Sequence, residues 1–379
     1  MANRVTPKMS RIGEVADRAG VSAMTVSRVL NNSGYVRAAT RQRVELAIAE
    51  VGYVPNALAR QLRSKRTKML ALVLSDISNP FFTTIARGVE DVASARGFAV
   101  MFCNTDESDE EESRYLRLLV ERQVDGVLLV PAQNSAASVR LLRTHSIPFV
   151  VLDRRAPRRV DNVRCDSEEG AHALARHLVA LGHRRIAVLT GRRGISTSAD
   201  RVAGVRRALG EAGLALDESL VRYGSFNFGN KNVADGRLMA QEVLTATDDP
   251  PTAIFAANNF IAFGAVRALR ELGLKVPDDI SVVAFDDLPV EWVDEPFLTV
   301  AAQPAYDIGR RAAELIIDRL EGERTAAGES VVLPFEVIVR RSTAAPRVRP
   351  TSHPTKPPAD DVATRRGEGE LPLQAVRVP

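Results

Sequence analysis

Residues 11–31 read RIGEVADRAGVSAMTVSRVLN and predict two short helices joined by a tight turn. Apolar side chains recur at helical spacing in the first half, Gly20 interrupts the run, and Ser22 is a residue type that caps a helix. In the second half, Val26 and Val29 lie on one face, which leaves small, hydroxyl and arginine side chains on the other. This pattern is typical of a helix-turn-helix, whose second helix enters the major groove of DNA. An ordinary helical hairpin fits the same stretch, so its surroundings decide between the two.

The charge of the chain is unevenly distributed, although its net value is only +4. Up to residue 68 there are thirteen basic residues and four acidic ones, so the remainder carries a net negative charge. A basic head on an acidic body is the electrostatic pattern of a nucleic-acid-binding module joined to a domain with another task. Binding to a membrane surface is the rival interpretation, but the head lacks the Trp and Phe side chains of an interfacial face. DNA is therefore the favoured partner.

Length and composition favour a multidomain protein of the cytoplasm. The chain has 379 residues, of which 45% are hydrophobic and 26% charged, as in soluble globular proteins. No apolar run reaches the roughly 20 residues that span a bilayer, and the N-terminus lacks the apolar core of a signal peptide. The two cysteines supply neither a disulfide framework nor a metal-binding spacing. We therefore expect no membrane partner, no metal and no cofactor.

Downstream of the hairpin the pattern predicts a third helix and then a basic linker. The third helix covers Ala38–Val51 and is ended by Gly52. Pro55 then begins a helix-compatible stretch that runs to Leu62 and is too short to be a stable helix by itself in water. We interpret it as a linker or as a segment that orders on binding.

The body of the chain alternates apolar, strand-like runs with amphipathic helices. Seven such runs lie between residues 70 and 285: LALVLS, FAVMFC, GVLLV, FVVLD, IAVLT, AIFAA and SVVAF. Their continuous, mostly β-branched character is typical of buried parallel strands. This alternation predicts an α/β fold with parallel, doubly wound sheets, and seven strands over this length fit two lobes better than one.

Two polar segments stand out from this pattern. The acidic run DESDEEE from Asp106 predicts the start of a solvated helix, where the helix dipole favours acidic side chains; a metal site is the weaker alternative. From about Ala344 the chain is rich in Pro and charge, without apolar periodicity, which predicts disorder. The sparse leucines of this tail do not form a heptad zipper.

Several motifs together resemble the LacI family of bacterial transcriptional repressors, from about Arg11 to Thr343. They are VADRAGVSAMTVSRVLN, TRQRVELAIAEVGYVPNALARQL, DISNPFF, LVALGHRRIAVLTG, DRVAG, AANNFIAFGAVRAL and PDDISVVAFDD, in the order and spacing of the family. A lone helix-turn-helix would be weak evidence, whereas this series is highly specific.

The resemblance implies a three-helix head and a two-lobed core like that of periplasmic binding proteins. The expected segments are a helix-turn-helix domain over 1–54, a hinge helix and linker over 55–68, an effector-binding and dimerisation core over 69–343, and a disordered tail over 344–379. Within the core, the first lobe is expected at about 69–165 and 303–330, and the second at about 166–302 and 331–343.

The family also implies a homodimer that reads two halves of a palindromic operator in double-stranded DNA. By position, the side chains that face base edges are Ala23, Met24 and Arg28, and those that serve mainly phosphates and nearby bases are Ser22, Thr25, Ser27 and Asn31. Arginine can bind guanine through two hydrogen bonds, whereas Ala and Met offer only apolar contact, for example to thymine methyls. Arg28 should therefore carry most of the hydrogen-bonded base specificity.

Further DNA contacts are implied outside the second helix. Where the family usually has Ser as the cap of the third helix, this chain has Arg37, which can still reach a phosphate. In the hinge segment the implied contacts are Asn56, Ala59 and Leu62. Leu62 would wedge between central base pairs from the minor groove and bend the duplex.

For the core, the resemblance implies a ligand held between the lobes at the C-terminal ends of the strands. The nominated residues are Asn79, Phe81 and Asp153 from the first lobe and Arg201, Phe226, Asn258, Asn259 and Asp286 from the second. Carboxylates, amides, a guanidinium and aromatic faces suit a polyhydroxylated ring. At Asn259 the family commonly has Asp, so the charge of this site departs from the usual pattern.

The expected function is that of a repressor in the bacterial cytoplasm, associated with the nucleoid and released from its operator by a sugar or sugar derivative. A regulator that needs a corepressor and senses a non-sugar metabolite is the alternative. A sugar-binding protein or an enzyme on the same core is less favoured, because no GxGxxG, GxxxxGK[ST] or GxSxG motif is present. The sequence leaves open the effector, the sign of its effect, the operator, the role of the tail and any oligomer beyond the dimer.

Overall fold

The computed structural model describes residues 12–53, 66–133, 135–224, 230–246, 249–288, 295–324 and 328–347. The helices of this part are α1 (Ile12–Ala19), α2 (Ala23–Leu30), α3 (Ala38–Val51), α4 (Pro80–Ala95), α5 (Asp109–Glu121), α6 (Ser135–Thr144), α7 (Ser167–Ala180), α8 (Ser196–Glu211), α9 (Asn230–Thr245), α10 (Asn259–Glu271) and α11 (Ala305–Glu321). The strands are β1 (Met69–Leu74), β2 (Ala99–Asn104), β3 (Gly126–Leu129), β4 (Phe149–Leu152), β5 (Asp161–Cys165), β6 (Ile186–Thr190), β7 (Val221–Tyr223), β8 (Ala253–Ala256), β9 (Ser281–Phe285), β10 (Thr299–Ala302), β11 (Ser330–Leu333) and β12 (Glu336–Ile338).

The first three helices form a small head, as predicted. One apolar side chain from each helix is completely buried between them: Val15, Val26 and Val44. Gly20 takes a left-handed φ of 63° in the turn between α1 and α2, where a side chain would be strained. Burial of these apolar faces is what holds three short helices together, since none would be stable alone.

Two sheets of six strands form the core, and their strand orders are equivalent. The first sheet runs β2-β1-β3-β4-β5-β11, and all its neighbouring strands are parallel. The second runs β7-β6-β8-β9-β10-β12 and is parallel except for the antiparallel pair β10–β12. We call these sheets, with the helices packed on them, the first and second lobes. The predicted fold class is confirmed.

The helices on one face of each lobe pack with their backbones in contact at glycines. In the first lobe, a Cβ built on Gly309 of α11 would lie 2.0 Å from the carbonyl oxygen of Ile85 in α4. In the second lobe, a Cβ on Gly264 of α10 would lie 2.1 Å from the carbonyl oxygen of Val233 in α9. No other residue fits these positions without a shift of the helices.

All seven predicted runs are strands, but five further strands were not predicted. They are β5, β7, β10, β11 and β12, which are short and each contain at least one polar or charged residue. The predicted lobe boundary is wrong at one point, because residues 331–333 lie in β11 and pair with β5 of the first lobe. The second lobe resumes only with β12 from Glu336. Within the described ranges, the chain thus passes between the lobes at 165–167, 302–305 and 333–336.

The predicted disorder from Ala344 is wrong for the first residues of that tail. Ala344 donates its N–H to Ser281 Oγ over 3.0 Å, and its carbonyl oxygen lies 2.9 Å from Nε2 of the buried His183. The preceding Ser342 donates its hydroxyl to the carbonyl of Val282 over 2.6 Å. These bonds tie the segment to β9, so the second lobe includes residues up to Ala344. Residues 348–379 of the predicted tail lie outside the described residues.

Candidate DNA-reading helix and effector cleft

The second helix of the head presents the predicted reading face to solvent. Ala23, Met24 and Arg28 are exposed, and Met24 has 66% of its surface accessible. Val26 and Val29 of the same helix are buried against α1 and α3. The helix therefore offers one apolar contact surface and one exposed guanidinium at its outer face, as the 3.6-residue period requires.

The polar side chains expected at phosphates are held by bonds within the head. Ser22 caps α2, because its Oγ accepts the N–H of Thr25 over 3.2 Å. Asn31 donates through Nδ2 to the carbonyl of Ser27 over 2.8 Å at the other end of the helix. These bonds set the ends of α2 but leave further lone pairs and protons for a ligand.

The start of α3 lacks a side-chain cap. Arg37 occupies the N-cap position with φ −58° and ψ 141°, and its side chain makes no capping hydrogen bond. This agrees with the expected loss of the usual serine cap. The hinge residues Asn56, Ala59 and Leu62 lie outside the described residues.

A cleft that is partly open to solvent lies between the lobes, where the strands of both sheets end. Six of the predicted effector residues line it: Asn79, Phe81, Asp153, Arg201, Asn258 and Asp286. Seven residues that sequence reasoning did not nominate line it as well: Ser75, Asp76, Phe82, Glu107, Arg154, Thr197 and Asn232. Phe226 lies outside the described residues.

Asp153 and Asp286 occupy equivalent places in the two lobes. Each directly follows the fourth strand of its sheet order, with a left-handed φ of 62° and 66°. Each donates its N–H over 3.0 Å to the next strand, Asp153 to Val163 and Asp286 to Ala301. Aspartate tolerates this conformation better than most residues, and the reversal turns both carboxylates into the cleft.

The guanidinium of Arg201 acts electrostatically on the carboxylates of both Asp153 and Asp286. Burial raises the pKa of Asp286 to about 6, although the guanidinium of Arg201 opposes this shift. Burial raises the pKa of Asp153 too, against the effect of Arg154 and Arg201. The Oδ1 atom of Asp153 is buried without a hydrogen-bond partner among the described residues. An unpaired acceptor of this kind can accept a hydrogen bond from a hydroxyl group of a ligand.

Arg201 is held against the floor of the second lobe. Its guanidinium stacks on the ring of Phe285 at 4.0 Å and donates through Nη1 to the carbonyl of Ala257. Its Nε is buried with no hydrogen-bond partner in the described part of the chain. Stacking and the backbone bond fix the plane of the guanidinium, so its Nε–H points in a defined direction.

Two asparagines of the cleft act as helix caps. Asn79 accepts the N–H of Phe81 over 3.0 Å at the start of α4, and Asn258 accepts the N–H of Ile261 over 2.8 Å at the start of α10. Asn259 does not line the cleft, contrary to its nomination. It is 1% exposed and borders a separate apolar cavity, because α10 turns it away from the strand ends.

The acidic run starts α5 at Asp109, as predicted, but it is partly buried and not solvated throughout. Glu107 accepts from the guanidinium of Arg154, and this guanidinium also donates to the carbonyls of Pro131 and Ala132. Glu112 accepts the hydroxyl of Ser138. Glu107 and Arg154 are separated by 47 positions, so no local spacing could reveal their contact. The adjacent basic residues at 154 and 155, just after a strand, were the only local sign.

Polar contacts also join the lobes at one side of the cleft. Arg155 of the first lobe donates its N–H to Ser196 Oγ over 3.1 Å, and Arg192 of the second lobe lies 3.4 Å from the carbonyl oxygen of Glu107. Gln133 donates through Nε2 to the carbonyl of Arg193 over 3.3 Å. These contacts favour the arrangement of the lobes seen in this structure.

The described residues show neither a metal-binding cluster nor a membrane-spanning helix. No group of three or more His, Cys, Asp or Glu side chains in them is arranged to hold a metal ion. None of the helices they form combines the length and the apolar character of a membrane-spanning segment.

Comparison with known proteins gives a consistent picture. Residues 11–56 match the family described as bacterial regulatory proteins, lacI family, and residues 66–339 match the periplasmic binding proteins and sugar binding domain of LacI family. The HTH-type transcriptional regulator DegA of Bacillus subtilis is 36% identical over 337 residues, which cover 88% of this chain and 98% of DegA. The HTH-type transcriptional repressor PurR of Vibrio campbellii is 34% identical over 340 residues, with 88% and 98% covered.

Solved structures agree with these relatives. A complex of the transcriptional regulator CelR with cellobiose has a TM-score of 0.65 and 35% identity, over 88% of this chain and 99% of that one. The lac repressor dimer bound to operator and the anti-inducer ONPF has a TM-score of 0.78 and 28% identity, over 89% and 100%. The chain therefore belongs to the LacI family of bacterial DNA-binding transcriptional regulators.

Proposed function

We propose that this regulator is a repressor that binds a palindromic operator as a homodimer and leaves it when a small sugar-like effector enters the cleft. The observation that carries the proposal is the cavity between the lobes, into which equivalent aspartates project from both sides. An effector that bridges Asp153 and Asp286 binds one arrangement of the lobes better than any other. Such differential binding is what allows a ligand to shift a conformational equilibrium.

The route from cleft to DNA runs through the connections between lobes. The chain passes between them at 165–167, 302–305 and 333–336, so a change of lobe angle is concentrated at these segments. In a dimer, a rotation of the first lobes changes the spacing of the two heads and thereby the affinity for a fixed operator. We infer that the hinge stretch 55–62, with Leu62 as the minor-groove wedge, transmits this change. Acting on chromosomal DNA, the protein would work in the bacterial cytoplasm as a regulator and not as an enzyme.

The relatives support both halves of this proposal. One solved neighbour is a lac repressor dimer bound to operator, and another is CelR in complex with cellobiose. Twofold dimers match palindromic sites, because each subunit presents the same helix to one half-site.

Selection of bound sequences from a random DNA library tests the DNA half of the proposal. The expected product is an inverted repeat, and light scattering of the complex should give two chains per duplex. A single half-site bound by one chain would overturn the dimer model.

A thermal-shift screen over sugars, sugar acids and nucleobases tests the effector half. A ligand that raises the melting temperature should also weaken the operator complex in a mobility-shift titration; a ligand that strengthens it would favour the corepressor alternative. Arg201→Ala should abolish the thermal shift, whereas Arg206→Ala, on the same helix but paired with Glu218 at the surface, should retain it. Retained ligand binding in Arg201→Ala would refute the cleft assignment.

A further inference from the structure

The ion pair formed by Glu107 and Arg154 lines the proposed effector cleft. Both side chains are at least nine-tenths buried and are in direct contact. A buried ion pair in a cavity wall is costly unless its remaining polar atoms find partners. Its chemistry therefore bears on what the cavity accepts.

Each member of the pair keeps one polar atom without a hydrogen-bond partner among the described residues. These atoms are Oε2 of Glu107, an acceptor, and Nε of Arg154, a donor. The other nitrogens of the Arg154 guanidinium have partners. Nη1 donates to the carbonyls of Pro131 and Ala132, and Nη2 donates to Glu107. The ion pair thus retains one donor and one acceptor, which match a hydroxyl group, since a hydroxyl both donates a hydrogen bond and accepts one.

The charge around this pair disfavours an anion. A guanidinium in a cleft is the usual recognition group for phosphate or carboxylate. Here, however, Glu107 neutralises Arg154, and Asp153 lies beside it, with its Oδ2 atom 4.0 Å from Arg154 Nε. An anionic group placed at Arg154 would meet two carboxylates at short range in a buried site, where Coulomb repulsion is poorly screened.

We propose that Glu107 and Arg154 form a subsite that receives a hydroxyl group of an uncharged polyol and excludes phosphate and carboxylate groups. This inference rests on the proposed effector cleft and narrows its ligand class. Glu107 is thus a specificity residue, which decides what Arg154 can bind.

Matched ligand pairs test the proposal on the unmodified protein. The probes are ribose with ribose 5-phosphate, glucose with glucose 6-phosphate and gluconate, and galactose with galacturonate, measured by thermal shift and calorimetry. In any pair of which one member binds, the uncharged sugar should bind at least about 10-fold more tightly than its anionic partner. An anionic member that binds as tightly as its sugar, or more tightly, would overturn the proposal.

A charge change at Glu107 makes the test sharper. Glu107→Gln removes the neutralising charge and leaves Arg154 able to attract an anion, so the preference for the uncharged member should shrink by about 10-fold or invert. Glu107→Asp keeps the charge and should keep the preference. Glu110→Gln, an exposed change on α5, is the matched control and should leave every ratio unaltered. If Glu107→Gln does not fold, the ratios of the unmodified protein and of Glu107→Asp still decide the question.

The outcomes distinguish failure of the Glu107–Arg154 subsite from failure of the effector cleft itself. Binding of anionic ligands alone, abolished by Arg201→Ala, would leave the effector cleft in place and refute the Glu107–Arg154 subsite. No binding by any sugar, acid or phosphate would count against the effector cleft as a sugar site and so against both. Equal losses of charged and uncharged ligands in Glu107→Gln would show that Glu107 is structural and not a specificity residue.

Discussion

The guanidinium of Arg155, in the first lobe, lies 2.9 Å from the carboxylate of Asp200, in the second. Asp200 is buried, and burial raises its pKa, whereas Arg155 acts in the opposite direction. This ion pair spans the cleft at the side where the Arg155 N–H also meets Ser196. It therefore favours this arrangement of the lobes even before an effector adds its own contacts.

Removing this contact should weaken effector binding without touching the ligand. Arg155 is more than half exposed, so the pair contributes modestly, and Arg155→Ala should lower effector affinity by about 2- to 5-fold. The physical reason is that, without the Arg155–Asp200 ion pair, the arrangement of the lobes seen here is less populated. Calorimetry with the effector found in the screen measures the change, and Arg158→Ala, an exposed arginine of the same loop, serves as control. Affinity that is unchanged in Arg155→Ala would show that the pair does not govern closure.

The raised pKa of Asp286 makes a prediction about stability and pH. Because burial raises its pKa from 3.8 to about 6, the folded protein holds a proton between these values that the unfolded chain has released. The ionised carboxylate therefore costs stability at neutral pH; this cost is absent below the unfolded pKa and grows as the pH rises to about 6. Asp286→Asn keeps an acceptor for Gln303 and should increase the free energy of unfolding at neutral pH by up to about 3 kcal/mol.

Denaturant titrations at two pH values check this sign. The gain from Asp286→Asn should be present at neutral pH and close to zero in acid below the ordinary aspartate pKa, about 4. Glu110→Gln, an exposed carboxylate-to-amide change, should show no such pH dependence. A gain of equal size at both pH values would mean that packing, and not the ionised carboxylate, is responsible.

Arg28 should dominate base discrimination by the head. It is the exposed arginine of α2, next to apolar Ala23 and Met24. Arg28→Ala should cost about 1–3 kcal/mol of operator affinity and relax the preference at one base pair of each half-site. Binding to a set of single-base operator variants measures this. Arg18→Ala, which removes a cation of α1 that pairs with Glu50, should weaken all operators alike; the same uniform loss in Arg28→Ala would contradict a reading role.

Arg37→Ser should have opposite effects on stability and on DNA binding. Serine can cap α3, where Arg37 makes no capping bond, and should stabilise the head by about 1 kcal/mol. The same change removes a cation expected at a phosphate, so operator affinity should fall and its salt dependence should become shallower. Thermal melting of the Arg37→Ser protein measures the stability. Operator titrations at two salt concentrations measure the affinity and its salt dependence. Arg37→Ala supplies the control, because it removes the charge without adding a cap.

Features governed by neighbouring residues were predictable. Gly20 and Ser22 mark the turn of the head, and the predicted bounds of α3, Ala38–Val51, agree with the structure. Continuous apolar runs identified the buried strands, because a strand covered on both faces requires apolar side chains at every position. Short edge strands such as β7 and β12 were not predicted, because each contains a charged residue and lacks a continuous apolar run.

Features that depend on distant residues were not predictable in the same way. Glu107 seemed to belong to a solvated acidic run, and only the fold brings it to Arg154. Asn259 was nominated through the family resemblance, but the first turn of α10 directs its side chain away from the cleft that Asn258 lines. The placement of β11 in the first lobe likewise depends on its pairing with β5.

The head, the α/β alternation and the family could thus be predicted from the chain alone, because they follow from residue periods, turn residues and ordered motifs. The charge of the cleft became apparent only in the folded protein. Asp153 and Asp286 face one shared guanidinium, that of Arg201, and Glu107 neutralises Arg154. The physical reason is that electrostatic energy depends on distance and burial in space, which the order of residues along a chain does not specify.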